Sequence, residues 1–319
     1  MKSAQGVIMR DISTVLVAGS GAIGSMVASL IDDALPGSIS ILAGGERLAR
    51  YREKGFIING KQRFFPLVDV DSASKKDLII IACKAHHLDQ VLKDLSSHIG
   101  DGTLILSLLN GISSEEIAGK VYGKARLPFA MIVGTDAGRT DNVVTFTSTG
   151  TIFFGDALNS RDKNKWSPRV APIAAFFDRA GIKYTVPENM LNRLWYKFML
   201  NVATNQITAI LRRPYRIIKK GTMTNETKEL MDETMREVIA VAKAEGIILT
   251  GADMAEVYST MDKLVDEGKT SMCQDVEAGR KTEVELFSGT MIALGKKWGI
   301  PVPVNALLYR MLKTIEESY

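Results

Sequence analysis

A glycine pattern near the start of the chain constrains the fold more than any other feature. Residues 14–18 (TVLVA) form a short apolar run typical of a buried strand, and residues 22–34 read as a helix. Where the two meet, the sequence GSGAIG matches the pattern GxGxxG. In this setting the first glycine permits a tight turn, the second lets a pyrophosphate approach the backbone, and the third lets the helix pack against the sheet. The predicted cofactor-binding residues are Gly19, Ser20, Gly21, Ala22, Ile23 and Gly24.

Strands and helices alternate through the first half of the chain. Buried strands separated by helices indicate a parallel sheet covered on both faces. We therefore predict an α/β fold with an N-terminal Rossmann domain, built on a doubly wound, mostly parallel sheet. The β-rich runs 143–147 and 150–154 predict a hairpin on the far side of that sheet. The other predicted elements are strands at 38–43, 77–83 and 103–108 and helices at 45–54 and 86–95.

The pattern becomes purely helical after Pro187. A chain of 319 residues is long enough for two hydrophobic cores. We predict a dinucleotide-binding Rossmann domain over residues 1–185 and a helical substrate domain over residues 186–319. The predicted helices of the second domain are 188–211, 224–245, 251–267, 270–297 and 303–318.

Charge and composition exclude several classes of function. The net charge is +4 and the basic residues are scattered, so no nucleic-acid partner is expected. The first twelve residues lack an apolar signal core, and glycines interrupt the apolar run 15–31, so no membrane span is expected. The two cysteines, Cys83 and Cys273, form no CxxC pair or disulfide framework, which favours a reducing, cytoplasmic location. The three histidines show no metal-binding spacing, so no metal is expected.

A polar stripe within the apolar run 194–211 is the strongest sign of catalysis. At helical spacing its members share one face. We expect desolvation of the single lysine to favour its neutral form and to lower its pKa. An amine that can give or take a proton, beside amides that can hold a small polar ligand, suits an active site. An Asn-rich edge of solvated surface is the alternative. The stripe consists of Lys197, Asn201, Thr204, Asn205 and Thr208.

Residues after three predicted strands indicate how a cofactor binds. The second strand ends without the acid that usually holds the ribose of NAD, and Arg47 follows shortly after Gly44. This favours NADP, with NAD possible. Lys84 and Asn110 each follow a strand directly, so we expect them at the carboxyl edge of the sheet, near the nicotinamide.

A late helix, predicted over 270–297, carries further candidates. Ser271 could cap the helix or bind a ligand with the same hydroxyl. Glu283 lies twelve residues later, roughly on the same side of a continuous helix, and could reach Lys197 or a substrate hydroxyl. A solvated position for Glu283 is equally consistent with the spacing. Asp275 and Arg280 are expected to form a structural pair.

Taken together, these motifs resemble the ketopantoate reductase (2-dehydropantoate 2-reductase) family. The matches run in the family's order from GSGAIG through CKAHH, LLNGI, LWYKFMLNVATNQITA and TSMCQDVEAGRKTEVE to GIPVPVN. The resemblance implies a Rossmann domain followed by a helical domain like that of 6-phosphogluconate dehydrogenase. It implies NADPH-dependent reduction of 2-dehydropantoate to (R)-pantoate, on the route to pantothenate and coenzyme A.

The resemblance also implies roles for individual residues. Lys197 matches the proton donor, and Glu283 matches a catalytic glutamate that organises the site and touches the cofactor. The implied substrate-binding residues are Asn201, Asn205 and Ser271, and the implied cofactor contacts include Lys84, Asn110 and Ala137.

Three positions depart from the family pattern. Gly44 stands where the family often has an arginine for the 2′-phosphate, and Arg47 is the expected substitute. Tyr215 and Gly268 stand where the family can offer asparagines to the substrate. A D-2-hydroxyacid dehydrogenase acting on another 2-keto acid therefore stays open, as do a non-catalytic dinucleotide sensor and a homodimeric assembly.

Overall fold

The computed structural model describes residues 11–319. The chain divides into two compact units, the first ending at Met190 and the second comprising Leu191–Tyr319. The predicted boundary was residue 185. The expected lack of a signal core concerns the first twelve residues, and residues 1–10 lie outside the described range. Within residues 11–319, no helix combines the length and the hydropathy that crossing a bilayer requires.

The first unit is built on a parallel five-stranded sheet in the order β5-β2-β1-β6-β7. The α/β fold predicted from alternating apolar runs is confirmed. The strands of the unit are β1 Val15–Ala18, β2 Ile39–Ala43, β3 Phe56–Ile58, β4 Lys61–Arg63, β5 Leu67–Asp69, β6 Leu78–Ile81, β7 Leu104–Ser107, β8 Phe129–Thr135, β9 Gly138–Thr140, β10 Val143–Thr145, β11 Thr149–Gly155 and β12 Tyr184–Thr185. Its α-helices are α1 Ala22–Ala34, α2 Gly45–Lys54, α3 Leu88–Asp94, α4 Ser114–Tyr122 and α5 Ala171–Arg179.

Helices cover both faces of this sheet. Alternate residues of β1 enter different cores: Val15 and Val17 lie with Met26 of α1, whereas Leu16 lies with Leu88 of α3. This is the burial that continuous apolar strands predict. The strand order reverses between β1 and β6, and such a reversal is where open α/β sheets bind ligands at the carboxyl ends of their strands.

The predicted hairpin between 143–147 and 150–154 is wrong. β10 pairs with β3 and β9 in one sheet, whereas β11 pairs antiparallel with β8 in another. The carboxylate of Asp136 accepts hydrogen bonds from the backbone N–H groups of Thr147 and Ser148, at 2.9 and 2.8 Å. These bonds hold the connection as it passes between the two sheets.

The second unit is helical. Its α-helices are α6 Met190–Leu211 (whose first residue ends the other unit), α7 Asn225–Ala244, α8 Gly251–Asp262, α9 Ser271–Glu277, α10 Thr290–Trp298 and α11 Pro303–Glu317. Side chains cap three of the N-termini: Thr224 caps α7, Thr250 forms a capping box with Asp253 at α8, and Thr270 caps α9.

The continuous helix predicted over 270–297 is wrong, because α9 ends at Glu277. Gly279 adopts a left-handed φ of +62°, and the N–H of Arg280 donates to the carbonyl of Asp275 at 2.8 Å. A left-handed glycine with such a bond terminates a helix. A π-helix over Glu285–Gly289 then leads into α10.

His98 predicts how stability depends on pH. Its ring is fully buried, with Nδ1 3.3 Å from the carbonyl O of Ser74 and no partner for Nε2 among the described residues. Burial lowers the pKa of His98 because the charged ring loses its hydration, and nearby Lys76 adds repulsion. The unfolded chain therefore binds a proton more readily.

We expect the free energy of unfolding to be highest above the ordinary histidine pKa of about 6.5 and to fall as the pH drops below it. Urea unfolding between about pH 5.5 and 7.5 measures this slope. In His98→Gln, which keeps a polar side chain that does not titrate, the slope should become shallower. An identical slope in the variant would contradict the role of His98.

Candidate active site

Gly19 and Gly24 are required by the packing of the glycine loop itself. Gly19 has a φ of +100°, and a Cβ built there would lie 2.6 Å from the backbone N of Cys83. A Cβ on Gly24 would lie 1.9 Å from the carbonyl O of Gly19. The first glycine therefore makes the turn, and the third lets α1 pack against the loop.

Gly21 is not required by contacts within the protein. The nearest atom to a Cβ built there is the carbonyl O of Ala82 at 3.8 Å, an ordinary contact. Gly21 is also the N-cap of α1, where no side chain caps the helix. A diphosphate fits both features, because it needs space beside the backbone and accepts hydrogen bonds from the first N–H groups of a helix.

The carboxyl ends of neighbouring strands surround this loop. The N–H of Ala82, after β6, donates to the carbonyl of Ala18 at 2.9 Å. Lys84 and Asn110 are half-buried and follow β6 and β7, which are adjacent strands. Ala137 packs against the core that includes α1. The structure thus places the glycine loop, Lys84 and Asn110 after the carboxyl ends of three neighbouring parallel strands, β1, β6 and β7.

The end of β2 has no room for a side chain at position 44. A Cβ on Gly44 would lie 2.5 Å from Cγ2 of Val70. Arg47 is exposed in the first turns of α2 and is the first basic residue after β2. An arginine at position 44 would therefore displace Val70.

The polar stripe lies on α6, whose other sides are packed. Asn201 and Asn205 are 8% and 7% exposed, and Lys197 is half-buried. Beside them the rings of Trp195 and Phe198 pack edge to face with centroids 5.7 Å apart. The two carboxamides of the stripe are therefore buried beside aromatic side chains.

The threonines of the stripe are already used by the protein. The hydroxyl of Thr204 donates to the carbonyl of Leu200 at 2.8 Å, a common bond within a helix. The Thr208 hydroxyl lies 2.8 Å from both the carbonyl of Thr204 and the hydroxyl of Thr270. The hydroxyls of both threonines thus have partners within the protein.

The contact between Thr208 and Thr270 joins the stripe to the start of α9. Thr270 is the N-cap of α9, and its hydroxyl accepts a hydrogen bond from the N–H of Cys273 at 3.1 Å. Ser271 is the first residue of α9 and is exposed. The sequence left open whether Ser271 caps the helix. The cap is Thr270, so the Ser271 hydroxyl is not needed for capping.

Glu283 does not share a helix with Ser271, because α9 ends first. The carboxylate of Glu283 is buried, at 8% exposure, which removes the solvated alternative. The π-helix that follows packs on α6: Phe287 lies 6.4 Å from Phe198, ring centroid to ring centroid. Asp275 and Arg280 form the expected pair, with Nε 2.9 Å from Oδ1.

Tyr215 and Gly268 form one packing unit. Cδ2 and Cε2 of the tyrosine ring lie 2.9 and 3.0 Å from where a Cβ of residue 268 would be. The N–H of Tyr215 donates to the carbonyl of Gly268 at 2.8 Å. Burial raises the pKa of the Tyr215 hydroxyl. A neutral aromatic ring therefore occupies the space that a side chain at position 268 would need.

We expect Gly268→Ala to lower the free energy of unfolding by about 1–3 kcal/mol, because the new methyl group meets the tyrosine ring. In a Tyr215→Ala background most of this loss should disappear, a coupling that a double-mutant cycle with urea measures. Gly251→Ala is the matched control, since nothing lies within 4 Å of its Cβ. Equal losses in both backgrounds would contradict the packing.

Tyr51 contacts the glycine loop, which the sequence did not indicate. The hydroxyl of Ser20, in the glycine loop, donates to the Tyr51 hydroxyl at 2.8 Å, and both side chains are buried. The two residues are 31 positions apart, so no local spacing could have revealed the contact.

Comparison with known proteins identifies the family. Sequence models of ketopantoate reductase PanE/ApbA match residues 15–159, and those of its C-terminal part match residues 189–316. The chain belongs to the ketopantoate reductase family. The resemblance found from the motifs is thereby confirmed, and the protein is an oxidoreductase of this family.

Individual ketopantoate reductases match over nearly the whole chain. A 2-dehydropantoate 2-reductase from Pyrococcus abyssi (strain GE5 / Orsay) is 29% identical over 307 residues, covering 94% of this chain and 96% of that protein. The enzyme of the same name from Archaeoglobus fulgidus is 27% identical over 310 residues, covering 96% and 99%.

Solved structures show the same fold. D-mandelate dehydrogenase, in a ternary structure with NADH and anilino(oxo)acetate, has a TM-score of 0.84 at 24% identity, covering 96% of this chain and 99% of that chain. A PanE/ApbA family ketopantoate reductase from Ralstonia eutropha JMP134 has a TM-score of 0.81 at 22% identity, with the same coverage. A dimeric ketopantoate reductase from Staphylococcus aureus has a TM-score of 0.76 at 21% identity, also with 96% and 99% covered.

Proposed function

We propose that this protein reduces 2-dehydropantoate to (R)-pantoate with NADPH. Its named relatives over nearly the full length are 2-dehydropantoate 2-reductases. The observation that carries the proposal is the buried polar face of α6, where a lysine and two carboxamides are enclosed by apolar side chains. A solvated helix edge would be mostly exposed, and this one is not.

In this reaction the candidate polar residues of the second unit have distinct roles. A bound nicotinamide cofactor supplies a hydride to the ketone carbon, and negative charge then builds on the ketone oxygen. The ammonium of Lys197 stabilises that charge and donates the proton. Asn201, Asn205 and Ser271 bind the carboxylate and hydroxyl of the substrate. Glu283, whose side chain is buried, orients the site and contacts the cofactor.

The cofactor is proposed to bind at the glycine loop of the first unit. Gly21 and the uncapped start of α1 hold the diphosphate, and Lys84, Asn110 and Ala137 contact the nicotinamide half. Arg47 is proposed to favour NADPH, since Val70 leaves no room for an arginine at position 44. NADH stays a second possible cofactor, as in the D-mandelate dehydrogenase structures.

We further propose a cytoplasmic enzyme of pantothenate and coenzyme A synthesis. A homodimer is proposed on the likeness to the dimeric enzyme from Staphylococcus aureus.

The test is a panel of 2-keto acids assayed by NADPH and NADH oxidation. We expect 2-dehydropantoate with NADPH to give the highest kcat/KM. A higher kcat/KM with NADH would reject the cofactor preference, and no turnover with any 2-keto acid would reject the reductase.

A second candidate is a D-2-hydroxyacid dehydrogenase acting on a different 2-keto acid. The packing of Tyr215 on Gly268 favours it, because a ring beside the loop before Ser271 suits an apolar substrate group better than a hydroxyl. The same panel distinguishes the two: a higher kcat/KM with an aromatic 2-keto acid than with 2-dehydropantoate would select this candidate.

A further inference from the structure

A hydrogen-bonded pair links the glycine loop to a second sheet of the first unit. Ser20 donates to the hydroxyl of Tyr51, and Tyr51 packs against Phe56 at the start of β3, with ring centroids 4.6 Å apart. The strand β3 belongs to the sheet that contains β9. Tyr51 therefore stands between the loop proposed to hold the diphosphate and a strand that the sequence motifs did not involve.

Arg139 on β9 reaches the other side of this tyrosine. Its guanidinium lies 5.7 Å from the ring centroid of Tyr51 and 5.6 Å from that of Phe56. Its Nε donates to the carbonyl of Asp141 at 2.6 Å, in the turn after β9. Two rings and a backbone carbonyl thus hold the guanidinium in a fixed orientation, which leaves further N–H groups of its terminal nitrogens for a ligand.

Positive charge gathers at this point without a carboxylate to balance it. Arg50 lies 5.6 Å from the ring centroid of Tyr51. Burial alone would raise the pKa of Tyr51, but the hydrogen bond from Ser20 and the charges of Arg139 and Arg47 outweigh burial and lower it. Other arginines, such as Arg63 and Arg179, form ion pairs with carboxylates. Among residues 11–319, no ion pair contains Arg47, Arg50 or Arg139. Arginines without carboxylate partners, close to a glycine loop, are suited to bind an anion.

We propose that Arg139 is a phosphate-binding residue of the dinucleotide site, a role that rests on the cofactor proposed above. A guanidinium with a fixed orientation binds phosphate oxygens with two parallel hydrogen bonds. Two phosphates of the cofactor share this chemistry, the diphosphate that NADH and NADPH have in common and the 2′-phosphate that only NADPH carries. Tyr51 is a positioning residue, because its hydroxyl accepts a hydrogen bond from Ser20 while its ring lies against the guanidinium of Arg139.

The test measures binding to the full chain without turnover. Dissociation constants for NADPH and NADH are determined by calorimetric titration of the wild-type protein and of Arg139→Gln. We expect the variant to raise the dissociation constant by about 10-fold or more, as loss of a charge-assisted hydrogen bond implies. An equal rise for both cofactors identifies the diphosphate as the partner, and a rise confined to NADPH identifies the 2′-phosphate.

Unchanged dissociation constants for both cofactors in Arg139→Gln would overturn the inference. If the wild-type protein binds neither cofactor, the proposed function itself fails, so the two failures are distinguishable. Should Arg139→Gln not fold, Arg139→Lys serves instead: it keeps the charge without the planar fork, and a several-fold weaker binding is expected. Arg179→Gln is the matched control, since this arginine also lies over a ring, that of Phe176, but pairs with Asp11. Its dissociation constants should equal those of the wild type.

Discussion

Lys197→Ala is expected to lower kcat by at least ~100-fold while leaving the dissociation constant for NADPH close to that of the wild type. The methyl side chain can neither stabilise the charge on the ketone oxygen nor donate a proton. Steady-state kinetics with 2-dehydropantoate and NADPH measure the change, and calorimetric titration measures cofactor binding. Thermal unfolding of the variant shows whether the half-buried position tolerates alanine.

Lys243→Ala, an exposed lysine on α7, is the matched control and should retain the wild-type kcat. Asn205→Ala provides a contrast, because loss of a substrate-binding amide should raise KM more than it lowers kcat. A nearly unchanged kcat in Lys197→Ala would remove the proton donor from the proposed mechanism.

Gly24→Ala and Gly21→Ala should separate the structural glycine of the loop from the ligand-binding one. In Gly24→Ala the new Cβ would lie 1.9 Å from a backbone oxygen that cannot turn away. We expect a loss of about 3 kcal/mol or more in the free energy of unfolding, at the upper end for overpacking. Urea unfolding of the protein without cofactor measures it.

Gly21→Ala should leave that free energy nearly unchanged, because the nearest atom to the new methyl group is 3.8 Å away. The methyl group would instead occupy the space proposed for the diphosphate. The dissociation constant for NADPH should therefore rise by at least ~10-fold. Wild-type binding by Gly21→Ala, or wild-type stability of Gly24→Ala, would contradict this division of roles.

The parallel sheet could be predicted because its central strands are uninterrupted apolar runs. Leu78–Ile81 and Val15–Ala18 are fully buried, and burial on both faces is what such runs indicate. The strand Lys61–Arg63 could not be predicted, since it is three residues long and wholly polar. Its pairing with β3 comes from the tertiary structure, and the sheet containing Arg139 was missed for the same reason.

The site was predictable where one helix carries it. Lys197, Asn201 and Asn205 share a face of α6 because of helical spacing alone. The sequence could not predict that Ser271 and Glu283 lie in different elements. A single glycine in a helical pattern, here Gly279, does not by itself indicate a left-handed φ that ends the helix. Tyr215 and Gly268 are distant in sequence, so no local sequence pattern could have predicted their contact.

The π-helix between Val284 and Thr290 lets the chain hold one residue more than an ordinary helical turn would. The N–H of Gly289 donates to the carbonyl of Val284 at 3.0 Å, five positions back, so this turn takes five residues through about the rotation that an α-helical turn makes with four. Deleting one residue of the turn is therefore expected to restore an α-helical turn and to leave α10 facing the same way. The second unit should tolerate a single deletion here better than one inside α10, where each residue removed rotates the rest of the helix by about 100°.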